Sequence, residues 1–124
     1  MDLMFKIPSD RPYVIAVDFD GTIVENKFPE IGKLNSSLFL EMHKLKKQYK
    51  EKLIFCLWTA RTNNSERKYL DEAINFCKDM ELPIDFFNDI PHNEFTEKEH
   101  TFTTPYRKVY ADEYWDDRAR TVQY

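Results

Sequence analysis

The sequence predicts an α/β fold with a mostly parallel sheet and helices on both faces, and three observations support this. Short apolar, β-branched runs alternate with stretches whose apolar residues recur at helical spacing. The runs are continuous rather than alternating, as expected of strands that are buried on both faces. The 124 residues, 42% hydrophobic and 32% charged, are enough for one globular domain and too few for two, so we expect a single domain over residues 1–124.

The first half of the chain supplies two predicted strands and one helix. Residues 13–19 form a continuous apolar run and predict the first strand. The Asn-Ser-Ser sequence at 35–37 offers N-caps for a helix, and apolar residues then recur over 38–49 at i, i+4, i+7 and i+11. Residues 52–59 predict a second buried strand.

The second half continues the alternation of helix and strand. A second helix is expected to be capped by Asn64 or Ser65, and residues 69–77 provide its apolar face. Residues 84–87 predict a short third strand, which follows a proline.

A polar loop and a last strand complete the predicted domain. Residues 88–106 have no clear period, and so long a loop in a compact domain is either functional or poorly ordered. Residues 109–115 predict the fourth strand. The resulting order of strands and helices favours parallel pairing through helical crossovers.

Composition and charge exclude several classes of function. The net charge of −4 argues against a nucleic-acid partner, because phosphate neutralisation requires clustered Lys and Arg. Cys56 and Cys77 lie in apolar patterns and are expected to be reduced core residues. We expect no signal peptide, because residues 1–10 lack a continuous apolar region, and no membrane span, because no apolar run is long enough to cross a membrane. These observations predict a cytoplasmic protein with no membrane partner.

Acidic and hydroxyl side chains follow the predicted strands. The chemistry-bearing residues at these strand ends are Asp18, Asp20, Thr59, Arg61, Asp116 and Asp117. Parallel strands present their carboxyl ends at one edge of the sheet, where α/β folds bind ligands, so we expect these residues to converge. Carboxylates that meet at ~4 Å repel each other by about 4 kcal/mol per pair at an effective dielectric of 20. The cluster therefore requires a cation.

An oxygen-only cluster of this kind favours Mg²⁺ and phosphoryl chemistry. Mg²⁺ prefers carboxylates, water and substrate phosphate as ligands. A carboxylate beside a bound phosphate can act as a nucleophile and form an aspartyl-phosphate. A second acid two residues further on can protonate the leaving oxygen and later activate water. A hydroxyl, a lysine and backbone N–H groups can then stabilise the phosphoryl oxygens.

The sequence also resembles a known family at these positions. Asp18-Phe19-Asp20-Gly21-Thr22 resembles the first motif of the haloacid dehalogenase-like (HAD) hydrolases. The other motifs are matched by Thr59 (the second), Lys108 (the third) and Asp116-Asp117 (the fourth). The resemblance spans roughly residues 13–120 and implies a three-layer, Rossmann-like fold.

Two further stretches are similar to a subgroup of very small HAD proteins from bacteria and phages. They are Leu-Trp-Thr-Ala-Arg at 57–61 and Tyr-Trp-Asp-Asp-Arg-Ala at 114–119. HAD proteins select substrates through cap insertions, but only 13 residues separate Thr22 from the first helix. The resemblance therefore implies a minimal or absent cap and an open site, shaded at most by the loop at 88–106.

The resemblance also implies the catalytic and metal-binding roles. Asp18 is the expected nucleophile and a Mg²⁺ ligand. Asp20 is the expected general acid and base, with its backbone carbonyl on the metal. Asp116 and Asp117 are expected to bind Mg²⁺ directly or through water, with Asp116 as the more direct ligand.

Three positions are expected to contact the phosphate of the substrate. Thr59 matches the phosphate-binding hydroxyl, although it could instead cap a turn or a helix. Lys108 is expected to hold the phosphoryl group, and Arg107 or Lys98 are alternatives for that role. Arg61 is expected either to contact the substrate or to form a surface salt bridge.

The expected function is hydrolysis of a phosphomonoester through an aspartyl-phosphate, with a phosphorylated small molecule or a macromolecular phosphate as substrate. One alternative is a HAD-like protein that binds phosphate or a partner with little or no turnover. Another is a signalling receiver domain, which also places acids, a Thr and a Lys around Mg²⁺. The receiver's accepting aspartate lies after the third strand, where this chain has Asn88-Asp89.

Overall fold

Two helices and a four-stranded sheet make up the part of the chain that the structure describes. The structure is a computed structural model, and it describes residue 3, residues 5–87 and residues 111–116. In chain order the elements are β1 (Tyr13–Asp18), α1 (Ser36–Tyr49), a 3₁₀ turn (Lys50–Lys52), β2 (Leu53–Trp58), α2 (Tyr69–Asp79), β3 (Phe86–Phe87) and β4 (Glu113–Trp115). Neither described helix has the length and hydropathy that crossing a membrane requires.

The four described strands are all parallel and lie in the order β3-β2-β1-β4. The chain therefore has the α/β, Rossmann-like fold that the sequence predicts. In the β1–β2 pair Asp18 lies opposite Trp58, and in the β1–β4 pair Val17 lies opposite Trp115. This order differs from the 2-1-3-4-5 order of receiver-type sheets. The topology thus argues against the receiver alternative.

Both described helices pack on the same face of the sheet. The core on this face joins strand, α1 and α2 side chains, among them Tyr13, Ile15, Val17, Leu53, Phe55, Leu57, Leu38, Met42, Leu45, Ala73 and Cys77. A smaller cluster of Val14, Ala16, Ile54, Cys56 and Ala111 lies on the other face. The steps from β1 to β2 and from β2 to β3 run in one direction, and right-handed crossovers then place both helices on one side. The sequence predicts helices on both faces, and a helix on the second face is not among the described residues.

Two aspartates just before the outer strands replace part of the ladder with side-chain hydrogen bonds. Asp85 Oδ2 accepts the N–H of Phe55 at 2.9 Å. Asp112 Oδ2 accepts the N–H of Val14 at 2.7 Å. Regular pairing of β3 consequently begins at residue 86 rather than 84, and within residues 111–116 that of β4 begins at residue 113.

The two helices begin differently from one another. Asn35 caps α1 as predicted, because its side chain accepts the N–H of Leu38 at 3.2 Å. The prediction of Asn64 or Ser65 as the cap of α2 is wrong, since the Asn64 side chain closes the turn that precedes this helix. The side chain of Asn63 accepts two N–H groups in the first turn of α2 instead.

Both cysteines are buried thiols, and burial raises the pKa of the Cys77 thiol to about 12. Thiol reagents attack the thiolate, so we expect native Cys77 to be inert towards a disulfide reagent at pH 8. The measurement is the labelling rate of a Cys56→Ala variant in buffer and in urea. Labelling should be complete in urea and slower by at least about a hundredfold in buffer. Equal rates in the two solutions would contradict the buried, protonated thiol.

Candidate active site

Two aspartates lie at neighbouring strand ends where the sheet topology opens a crevice. The chain runs outward from β1 to β2 and returns to β4 on the other side of β1, so the order of strands reverses between β1 and β4. Ligands bind α/β sheets outside the carboxyl ends of the strands at such a point. One step beyond the Val17–Trp115 pair, the register sets Asp18 against Asp116 on strands about 4.8 Å apart. Both residues are half-buried.

A tight loop after β1 fixes the first of these carboxylates. Asp18 Oδ1 accepts the N–H of Phe19 at 2.9 Å. The backbone N–H groups of residues 22–24 all point to the carbonyl of Phe19, at 3.0 to 3.2 Å. Gly21 has φ of 90°, a left-handed conformation that glycine adopts without steric cost. The loop therefore turns sharply enough to hold Asp18 and Asp20 at one rim.

The second acid of the motif is engaged by an arginine. Arg61 Nε donates to Asp20 Oδ2, and Arg61 Nη2 donates to Asp20 Oδ1, both at 2.8 Å. This is a bidentate, fork-to-fork pair, the strongest geometry for an arginine and a carboxylate. The side chain of Arg61 is 1% exposed and that of Asp20 is 17% exposed. The expected acid and base thus lies in a nearly buried ion pair.

The remaining contacts of Arg61 are with backbone carbonyls and aromatic rings. Its Nη1 donates to the carbonyl of Pro29 at 3.3 Å, and its Nη2 donates to that of Glu30 at 3.1 Å. Its Cζ lies 5.2 Å from the ring centroid of Phe19 and 5.0 Å from that of Phe28. Arg61 forms a salt bridge, as one of the two alternatives expected, but the pair is nearly buried rather than at the surface. Its contact with a substrate stays a prediction.

Thr59 lies at the predicted position, directly after β2. It is buried, and its hydroxyl oxygen accepts the N–H of Arg61 at 3.1 Å. This is the turn-capping contact that the sequence offered as an alternative role. It holds the backbone that carries Arg61, and the phosphate-binding role of Thr59 stays a prediction.

A short hairpin, here called the flap, covers residues 23–35 beside the site. Val24 and Leu34 pair in antiparallel fashion, and the N–H of Glu25 donates to the carbonyl of Lys33 at 2.9 Å. Arg61 holds the flap tip, residues 28–30, through the carbonyls described above. No hairpin was predicted here, and the sequence indicated only that the 13 residues between Thr22 and the first helix leave no room for a cap domain. Turn-forming Pro and Gly between apolar residues were the signal that could have predicted a hairpin.

Arg67 also holds the flap tip, residues 28–30. Its guanidinium donates to the carboxylate of Glu30 at 3.3 Å and to that of Glu72 at 2.8 and 2.9 Å. The ring of Phe28 lies 5.3 Å from that of Tyr69. The flap is thus anchored on the segment that joins β2 to α2.

The expected metal ligands divide into two groups. Asp18 and Asp116 lie at neighbouring strand ends, whereas the side chain of Asp20 is turned to Arg61. Within residues 3, 5–87 and 111–116, no three His, Cys, Asp or Glu side chains form a group able to hold a metal ion. An oxygen-only pair fits Mg²⁺, which usually takes one or two carboxylates together with water and substrate phosphate. Asp117 lies outside the described residues, as do Lys108, Arg107 and Lys98.

A buried network supports the strand that carries Asp116. Glu113 is 3% exposed, and its two oxygens accept the hydroxyl of Tyr13 at 2.5 Å and the indole N–H of Trp115 at 2.9 Å. Burial and the contact with Glu113 raise the pKa of Tyr13 above its usual range. Glu113 was not predicted from the sequence, where the only signal was that two acids, Asp112 and Glu113, interrupt the apolar residues of 109–115. The network fixes the pairing of β4 with β1 and hence the position of Asp116.

Comparison with known proteins identifies one relative. No protein-family model and no curated protein matches the chain. The solved structure of a conserved protein from Bacteroides thetaiotaomicron is similar, with a TM-score of 0.61 and 37% sequence identity over 89% of this chain and 79% of that chain. At this identity and coverage, the chain belongs to the same family as that conserved protein.

Proposed function

We propose that this chain is a HAD-like, Mg²⁺-dependent phosphomonoester hydrolase that acts in the cytoplasm through an aspartyl-phosphate on Asp18. The observation that carries the proposal is that Asp18 and Asp116 each come one residue after the paired Val17 and Trp115, at adjacent strand ends and at the switch point of the sheet. The position of Thr59 after β2 and the tight loop with Gly21 add support.

In the proposed first half-reaction, Asp18 attacks the phosphorus atom of the substrate. A bond forms between its carboxylate oxygen and phosphorus while the bond from phosphorus to the leaving oxygen breaks. Asp20 gives its proton to that leaving oxygen and releases an alcohol. The hydrogen bond from the N–H of Phe19 orients Asp18 for the attack. Bound Mg²⁺ would supply positive charge to the phosphoryl oxygens, with Asp18 and Asp116 as its carboxylate ligands.

In the second half-reaction, Asp20 acts as a base. It takes a proton from water, the water oxygen attacks phosphorus, and the bond to Asp18 breaks. Inorganic phosphate leaves, and both aspartates return to their starting states. The flap is a short hairpin rather than a cap domain, which favours small phosphorylated molecules or a phosphate carried on a macromolecule.

A second candidate is a protein of the same fold that binds phosphate or a partner with little turnover. The hold of Arg61 on both oxygens of Asp20 favours this alternative. If Asp20 never transferred a proton to a substrate, the site would bind phosphate without hydrolysing the ester.

Metal removal tests the proposed function. We expect the full chain to hydrolyse p-nitrophenyl phosphate and alkyl phosphates in the presence of Mg²⁺. A chelator should lower the rate by about a hundredfold or more, because several kcal/mol of charge stabilisation are lost, and excess Mg²⁺ should restore it. A rate that the chelator leaves unchanged would contradict the metal requirement. Binding of Mg²⁺ and inorganic phosphate without turnover would favour the second candidate.

A further inference from the structure

We propose that Arg61 is a positioning residue, which orients the carboxylate of Asp20 and couples it to the flap tip, and that it is not a ligand of the substrate phosphate. The inference rests on the proposed function, in which Asp20 transfers the proton. It follows from the contacts of one guanidinium group with two separate parts of the chain: the loop after β1, through Asp20 and the Phe19 ring, and the flap tip, through two backbone carbonyls and the Phe28 ring.

The bidentate pair orients Asp20 without blocking it. A carboxylate has about four lone-pair sites, and the two bonds from Arg61 use one on each oxygen. Within the contacts of the described residues, one site on each oxygen is left for a proton or for the leaving group. The planar fork also fixes the plane of the carboxylate, which a single hydrogen bond would leave free to rotate.

Burial and existing contacts argue against a phosphate-binding role for Arg61. Its side chain is 1% exposed, and four hydrogen bonds occupy a group that carries five N–H donors. Turning towards a phosphate would leave Asp20 as a poorly solvated carboxylate without its cation, which is strongly unfavourable.

The same guanidinium group contacts both the flap tip and Asp20, and it therefore couples their positions. Arg61 donates to the carbonyls of Pro29 and Glu30, and the ring of Phe28 lies 5.0 Å from its Cζ. A substrate that contacts the tip therefore acts on Asp20 through Arg61. The flap thus takes part in catalysis although it contributes no acid of its own.

The choice of leaving group tests this role. An alcohol is a poor leaving group and needs a proton from Asp20, whereas p-nitrophenolate leaves readily without one. We expect Arg61→Ala to lower kcat/KM for an alkyl phosphate by about a hundredfold, the low end of the range for general acid catalysis, and for p-nitrophenyl phosphate only a few-fold. The inhibition constant of inorganic phosphate should change by less than about twofold, because on this proposal Arg61 does not contact the phosphate.

Arg67→Ala is the matched control, because Arg67 also holds the flap tip but has no hydrogen bond to Asp20 among the contacts described. Its effect on the two esters should be small and equal. Arg61→Lys keeps the charge and loses the fork, so it should recover only part of the alkyl phosphate activity. In an Asp20→Asn background, Arg61→Lys should cause no further loss, since the two residues act as one unit.

Three results would overturn the inference. Equal losses on both esters with weaker inhibition by phosphate would make Arg61 a phosphate ligand. Additive losses in the Asp20→Asn background would separate the two residues, and this comparison uses Arg61→Lys, so it stands even where Arg61→Ala does not fold. Absence of turnover in the unsubstituted protein would overturn the proposed function and this inference together, and it is recognised without any variant.

Discussion

Asp18→Asn is expected to lower Mg²⁺-dependent hydrolysis of phosphate esters by at least about a thousandfold, the scale on which an enzyme loses activity when its nucleophile is removed. The amide has nearly the same shape, and its oxygen can still accept the N–H of Phe19, so the loop after β1 should keep its conformation. An amide oxygen is a poor nucleophile and cannot form the aspartyl-phosphate. The measurement is kcat/KM for p-nitrophenyl phosphate.

A matched control and a direct probe accompany this variant. Asp79→Asn makes the same chemical change at an exposed position of α2 and should leave the rate unchanged. Mass spectrometry of acid-quenched protein should find covalent phosphate on the unsubstituted chain and none on Asp18→Asn. Turnover that persists in Asp18→Asn would contradict its assignment as nucleophile.

The candidate site was predictable from sequence where it depends on strand ends. Asp18 follows a continuous apolar run, and parallel strands bring such ends to one edge, so its convergence with Asp116 follows from topology alone. The partner of Asp20 was not predictable in this way. Arg61 and Asp20 are 41 positions apart, and their contact depends on the flap conformation and on the turn that Thr59 caps. Neither the flap conformation nor this turn is encoded in a periodic pattern of the sequence.

The fold shows the same division between pattern and specific contact. β1 and β2 were predicted to within one residue at each end, because continuous burial produces a continuous apolar run. The starts of β3 and β4 were predicted too early because the side chains of Asp85 and Asp112 take over hydrogen bonds that a strand would make with its backbone. The apolar pattern of a strand reports its hydrophobicity. It does not report where a side chain takes the place of a backbone hydrogen bond.

Trp115→Ala is expected to lower the free energy of unfolding by about 3–5 kcal/mol, since it removes a large aromatic side chain from the core. Trp115 is fully buried, and its ring packs edge-on against Phe55 at 5.7 Å. The loss of its indole N–H also leaves one oxygen of buried Glu113 without that donor, at a further cost of about 1–3 kcal/mol. Domains of this size have a total stability of about 5–15 kcal/mol, so the variant should be partly unfolded at room temperature.

Urea denaturation measures this effect, with Leu40→Ala as the control. Leu40 is 66% exposed on α1, and alanine suits a helix, so that variant should change the free energy of unfolding by less than about 0.5 kcal/mol. Trp115 lies opposite Val17 and directly precedes Asp116. Because only the folded fraction of the variant can bind the metal, Trp115→Ala should also raise the apparent Kd for Mg²⁺ in inverse proportion to that fraction. A loss of stability below about 1 kcal/mol would contradict the buried Tyr13–Glu113–Trp115 network as the support of the site. Because Trp115 and Glu113 lie beneath the strand end rather than at the rim, a loss of Mg²⁺ binding greater than the unfolded fraction explains would mean that the core of the sheet sets the spacing of Asp18 and Asp116.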